Sequence, residues 1–267
     1  MSEPPSTRGH LTPGPPATVA RLPAPDDVAH LVRQLWIPEW DLPAGERAEQ
    51  LVLGYPASNV VVEPDGVALH GPTTRASVRV LSGCGWAVGA LLRPAGVLLF
   101  TGRPAQLLDG SAPLDAAGLR SAVAAAMAGP DPAVRHGRAA AALLDHVRAL
   151  AAELPPEDLR DGLVANRMVD LVEAGRDLRG PADLARELHV SERSLQRLAA
   201  RFVGMPPQLL LRRRRLQEAA ERMRADPAVG LCALAAELGF ADQAHLTREF
   251  RAVLGATPRG YGRARER

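Results

Sequence analysis

Leu184-Ala185-Arg186-Glu187-Leu188-His189-Val190 is answered fifty residues later by Leu234-Ala235-Ala236-Glu237-Leu238-Gly239-Phe240. The residues after each stretch also match: Ser191 through Gly204 aligns with Asp242 through Gly255 at an offset of fifty-one, the second copy carrying one extra turn residue, Ala241. Each copy reads as helix, short turn, helix, the arrangement that places a second helix in the DNA major groove. Ser191 and Asp242 are residue types that cap a helix by accepting bonds from its free backbone N–H groups, so both second helices have a defined start.

On the first of these helices Leu195, Leu198, Ala199 and Phe202 share one face, while Arg193, Arg197 and Ala200 point away and Gln196 lies on the flank. On the second, Leu246, Phe250 and Val253 face inward, Ala244, Arg248 and Arg251 outward, and Gln243 and His245 lie at the edges. Arginine can bond both O6 and N7 of guanine, and glutamine both N6 and N7 of adenine. The base-reading candidates are therefore Arg193, Gln196, Arg197, Gln243, Ala244, His245 and Arg248. For any single arginine an ordinary solvated helix surface explains the pattern as well; two matched units weigh against that explanation.

Between the copies, Pro206-Pro207 opens a helix pattern over residues 208–224, with Leu209, Leu210, Leu216, Ala219, Ala220 and Met223 as packed positions, and Asp226-Pro227 closes it. At ~1.5 Å per residue it spans roughly 25 Å, enough to hold two reading helices about one DNA turn apart. Arg212 to Arg215 circle this connector and cannot all approach one groove, so one or two are expected at phosphate and the rest in solvent or paired with acids such as Glu218. The phosphate candidates are Ser191, Arg201, Arg212, Arg215, Arg251 and Arg263.

Upstream, residues 1–25 hold seven prolines and read as a disordered leader. From Arg47 to Phe100 short β-rich runs succeed one another: 50–54, 59–63, 67–70, 77–81, 86–92 and 97–100, with Glu63-Pro64-Asp65-Gly66 as a hairpin turn. These predict a small barrel or sandwich over residues 26–133. In 134–156, a linker helix, Leu143, Val147, Leu150 and Leu154 form one apolar stripe, suited to packing within the subunit or to a dimer seam, and Pro155-Pro156 ends it. The helical DNA-binding part then covers 157–267, its two motifs at about 181–204 and 231–255 and the connector at 207–225. The expected fold class is thus α+β multidomain: an N-terminal β-barrel, cupin-like, with flanking helices, then an all-α double helix-turn-helix.

The charge distribution agrees with this division. Residues 160–267 carry 20 arginines against 14 acidic residues, and residues 1–159 carry 12 against 16, so the C-terminal half suits a polyanion. Two cysteines, Cys84 and Cys232, are too few for a disulfide framework, and with no export signal or long apolar run the expected place is the cytoplasm. Neither a cofactor nor a metal is expected, because His30 and His70 are unmatched by a second strand histidine. Cys84 stands alone in a Gly-rich turn, and Ser111, Asp115 and His136 have no nucleophile-elbow context, so an enzyme is not expected.

The run from Leu238 to Phe250, with Gly255, Thr257-Pro258 and Tyr261, resembles the signature of the AraC/XylS family, a likeness extending over roughly 158–262. The resemblance implies two helical DNA-binding units joined by one long helix, with base contacts from the second helix of each. Trp36, Trp40-Asp41, residues 56–64, Gly71-Pro72, residues 89–96 and Gly102-Arg103-Pro104 are similar to the cupin-related sensory part of many actinobacterial members. Such a regulator acts on double-stranded DNA, and its further partners are RNA polymerase, a small-molecule effector and a second copy of the chain, with no membrane. The alternative is an architectural DNA-binding protein whose N-terminal part only dimerises. Three residues depart from the family pattern: His189 where glycine is usual, apolar Ala244 in the reading face, and Gly262 after Tyr261, where Arg263 is the substitute for a closing basic residue.

Overall fold

Alternating and continuous apolar runs in the first hundred residues pair into antiparallel strands. The computed structural model describes residues 17–52, 56–175, 178–226, 229–254 and 257–258. The strands are β1 (Ala17–Pro23), β2 (Val32–Asp41), β3 (Arg47–Val52), β4 (Asn59–Glu63), β5 (Gly66–His70), β6 (Ser77–Ser82), β7 (Cys84–Trp86), β8 (Val88–Leu92) and β9 (Ser111–Pro113). The main sheet runs β1-β2-β8-β4-β5-β9, with β7 on the end of β2, and β3 and β6 form a separate ribbon. Every pairing is antiparallel.

The sheet is open, with β1 and β9 at its edges, and not the closed barrel expected. Helices cover it instead. All five residues of central β8 are buried, and Leu35, Ile37, Val60, Val62 and Leu69 form a core with Leu119, Val123 and Met127 of α2 (Ala117–Met127) and Leu143, Leu144 and Val147 of α3 (Pro132–Ala152). Leu143 and Val147 of the apolar stripe are therefore packed within the subunit, against α2 and the sheet, while Leu150 and Leu154 are half-buried. The Glu63–Gly66 hairpin closes as the turn residues predict.

Two expectations from sequence need correction. The leader does not reach residue 25: Ala17–Pro23 pair with Trp40–Gln34, and Ala20 and Leu22 pack on the core. As an edge strand β1 tolerates a terminal proline, which costs no ladder bond it needs. Residues 1–16 lie outside the described residues. The run 97–100 is not a strand but the end of one helical turn, α1 (Pro94–Val97), and the turn after it. A short apolar run does not by itself distinguish strand from helix, and Pro94 at its head supplies a helix start. Gly96 is required there, since a Cβ would collide with the Leu31 carbonyl oxygen.

The helical half begins with α4 (Pro156–Glu173), which faces both ways. Its Gly162 lies against Ala95, and buried Asn166 donates from Nδ2 to the His30 carbonyl at 2.7 Å while its Oδ1 accepts from the Ala95 N–H at 2.9 Å. Ion pairs Arg93–Asp170 and Arg33–Glu173, both 2.5 Å, flank these contacts. Then come α5 (Pro181–Glu187), α6 (Glu192–Leu198), a wide π-type turn over Ala199–Val203, α7 (Pro207–Ala225), α8 (Leu231–Glu237) and α9 (Gln243–Leu254). The first three join α4 in one apolar cluster; α8 and α9 build a second on Leu216, Ala219, Ala220 and Met223 of α7.

Candidate nucleic-acid interface

The turns inside the two copies are built alike. In the first, the Leu188, His189 and Val190 N–H groups donate to the carbonyls of Leu184, Arg186 and Ala185; in the second, those of Leu238, Gly239 and Phe240 donate to Leu234, Ala236 and Ala235. Both turns need a left-handed residue. Gly239 has φ 72°, and His189 takes φ 54°, a conformation in which a side chain carries a cost that glycine does not. The caps fall where the sequence places them: Ser191 Oγ accepts from the Ser194 N–H at 3.1 Å, and Asp242 Oδ1 from the His245 N–H at 2.6 Å.

Packing sorts the two second helices into faces. Leu195, Leu198, Ala199 and Phe202 are buried, while Arg193, Gln196, Arg197 and Ala200 are exposed. Leu246 and Phe250 are buried, Val253 packs beside them, and Ala244, Arg248 and Arg251 are exposed. Gln243 and His245 are half-buried at the edge. Arg193, Arg197, Arg248 and Arg251 make no ion pair among the described residues, so their guanidinium groups stand ready for an external acceptor.

The other phosphate candidates among the described residues are engaged within the chain. Arg201 pairs with Asp158, approaches Asp161 at 3.8 Å and lies over the Phe202 ring. Arg212 pairs with Glu249 of α9. Arg215 donates to the Leu178 and Arg179 carbonyls at 3.3 and 2.7 Å. The Ser191 hydroxyl donates to Ser194 Oγ, and Arg263 lies outside the described residues, as do Gly255, Tyr261 and Gly262. The two middle arginines of the run are also engaged. Arg213 is buried and donates to the Thr73 carbonyl at 2.6 Å; Arg214 donates to the Glu173 carbonyl at 3.2 Å and faces Glu221 at 3.6 Å. The expected pairing with acids is seen at Glu249 and Glu221 and not at Glu218, and three of the four arginines also reach backbone carbonyls on other elements.

Two contacts at the start of α9 are not expected from the sequence. The Cys232 thiol donates to Gln243 Oε1 at 3.1 Å, and the Ala241 N–H donates to His245 Nδ1 at 3.2 Å, with the imidazole edge-on to Phe240 at 5.5 Å. The first has no local signature, since the pair lies eleven residues apart on different helices. The second arises from the extra residue Ala241, whose N–H needs an acceptor. Among the described residues no three His, Cys, Asp or Glu gather as a metal site, and no helix is long and apolar enough to cross a membrane.

Comparison with known families places residues 184–264 in one described as a helix-turn-helix domain and residues 20–112 in one described as a domain of unknown function. No curated protein matches the chain. Among solved structures, the C-terminal domain of AraT, a response regulator from Geobacillus stearothermophilus, is 23% identical over 42% of this chain and 88% of its own, with a TM-score of 0.34. A singly substituted apo form of ToxT from Vibrio cholerae is 13% identical over 85% of this chain and 96% of its own, with a TM-score of 0.42. Wild-type ToxT from the same organism bound to an unsaturated fatty acid is 13% identical over 91% and 92%, with a TM-score of 0.39.

Proposed function

We propose that this chain is a sequence-specific DNA-binding transcription regulator, α6 and α9 each entering a major groove; the match of residues 184–264 to a helix-turn-helix family supports this. One observation carries the reading: two helices that follow turns with matching hydrogen bonds and have equivalent caps each bury one face and carry on the other arginines without an ion pair among the described residues. Arg193, Gln196, Arg197, Gln243, Ala244, His245 and Arg248 read base edges, the apolar Ala244 touching at most a thymine methyl. Arg251 contacts phosphate. The nineteen residues of α7, about 28 Å at 1.5 Å each, separate the two readers by roughly one turn of duplex. Selection of bound duplexes from a random pool tests this: two enriched blocks about one turn apart are expected, and equal recovery of all sequences overturns it.

The finer part of the proposal is control by a small-molecule effector acting through the sheet half. Asn166 and the Arg33 and Arg93 ion pairs support it, for they tie the sheet to the helix that carries the first reader. The rival reading is an architectural protein without effector, its N-terminal half serving only to dimerise. Thermal unfolding against a metabolite library separates the two, since a ligand selective for the native state raises the midpoint. No shift with any compound leaves the architectural reading.

A further inference from the structure

The hydrogen bonds at the start of α9 fix which way its polar edge residues face. Gln243 is an amide with one acceptor and one donor end, and it recognises adenine by using both at once, the oxygen on N6–H and the nitrogen on N7. In this protein the acceptor end is turned toward α8, because Oε1 accepts a hydrogen bond from the Cys232 thiol at 3.1 Å. The planar amide then carries its NH₂, a donor only, on the side away from that thiol. His245 is oriented in the same sense: Nδ1 accepts from the Ala241 N–H at 3.2 Å, which places the ring hydrogen on Nε2. Arg248, exposed one turn further on and without an ion pair among the described residues, has only donors to offer.

We propose that Cys232 is a specificity-setting residue of the second reader: by holding the Gln243 carbonyl toward α8 it leaves the donor end of the amide for the base, so that α9 selects guanine over adenine at the base pair facing Gln243. Guanine presents two acceptors, N7 and O6, side by side in the major groove, whereas adenine pairs its N7 with a donor, N6–H₂, that would meet the Gln243 amide donor to donor. Cys232 acts through Gln243 and need not touch DNA. The proposal rests on the reading of α9 as a base-contacting helix.

The experiment is selection of bound duplexes from a random pool by the full-length protein and three variants. Gln243→Ala identifies the base pair, as the position whose preference disappears. At that pair the native protein is expected to enrich G·C. Cys232→Ala releases the carbonyl and moves the preference toward A·T by about tenfold, the size of one good base contact. Cys232→Ser keeps a hydrogen-bond donor in place and keeps G·C, which a merely structural role for the thiol would not require. Enrichment of A·T by the native protein, or an unchanged preference in Cys232→Ala, overturns the proposal while leaving sequence-specific binding intact. Absence of any enriched sequence removes both.

Discussion

At Arg197 and Arg248 the guanidinium is exposed, unpaired among the described residues and carried on a helix whose other face is buried. Replacing either by alanine is expected to cost about 1–3 kcal/mol of binding to a selected duplex and to relax preference at one base pair, read by competition with single-pair variants of that duplex. Equal loss on random DNA would assign them to phosphate instead. A second residue links structure to pH. Burial, with the Arg79 charge adding to it, pushes the His70 imidazole below its ordinary value of 6.5, and Nε2 has no hydrogen-bond partner among the described residues. Below that value the unfolded chain takes up a proton that the folded site resists, so stability is present above it and falls as pH drops through it. Urea unfolding between about pH 5 and 8 is expected to show this acid limb in the native protein and a flatter one in His70→Leu. The inward and outward positions of α6 and α9 were legible because helical period alone sorts them. The orientation of Gln243 was not, for it depends on a thiol brought in by another helix.

For α7 the sequence places the boundaries well, through Pro207 and Asp226, and misses the use of the arginines. Four adjacent cations on a connector suggest an electrostatic footprint, but Arg212, Arg213, Arg214 and Arg215 all find acceptors on α4, α9, the segment before α5 or the loop at Thr73. Those carbonyls are distant in sequence and leave no mark in a charge count. Arg214→Ala and Arg215→Ala are therefore expected to lower the unfolding midpoint while leaving the slope of log K against log salt unchanged; Arg251→Ala should make that slope shallower by about one. A slope change in the connector variants would mean that the run meets phosphate after all. Strands were legible where alternation or a turn marked them, as at β4 and β5, and not at β2, where Arg33, Gln34, Pro38 and Glu39 break up the apolar pattern.

Across the molecule, the sheet and the helices are joined by buried contacts that no flexible connection would need: Gly162 on Ala95, Gly204 against Pro104, and the two bonds of Asn166. All three tryptophans, Trp36, Trp40 and Trp86, lie on strands of the sheet half, so their fluorescence and the far-UV circular dichroism of the helices report different regions. The two signals are expected to change in one coincident transition. Asn166→Leu strands the Ala95 N–H and the His30 carbonyl, costs about 1–3 kcal/mol for each, and should pull the two curves apart. Coincident curves in that variant would show that the halves are held by something else.

The wide turn at Ala199–Val203 bears on how such a chain can change over time. There the Gly204 N–H bonds to the Ala199 carbonyl, five residues back, so that Ala199 and Val203 face the first unit's core while Leu198 and Phe202 meet Leu98 beside the sheet. Loss of one residue here would tighten the coil to its regular pitch and swing everything downstream by about 100°. Phe202 would leave its seat, and the two readers would be turned out of step with each other. Length, more than composition, is what this short stretch has to conserve.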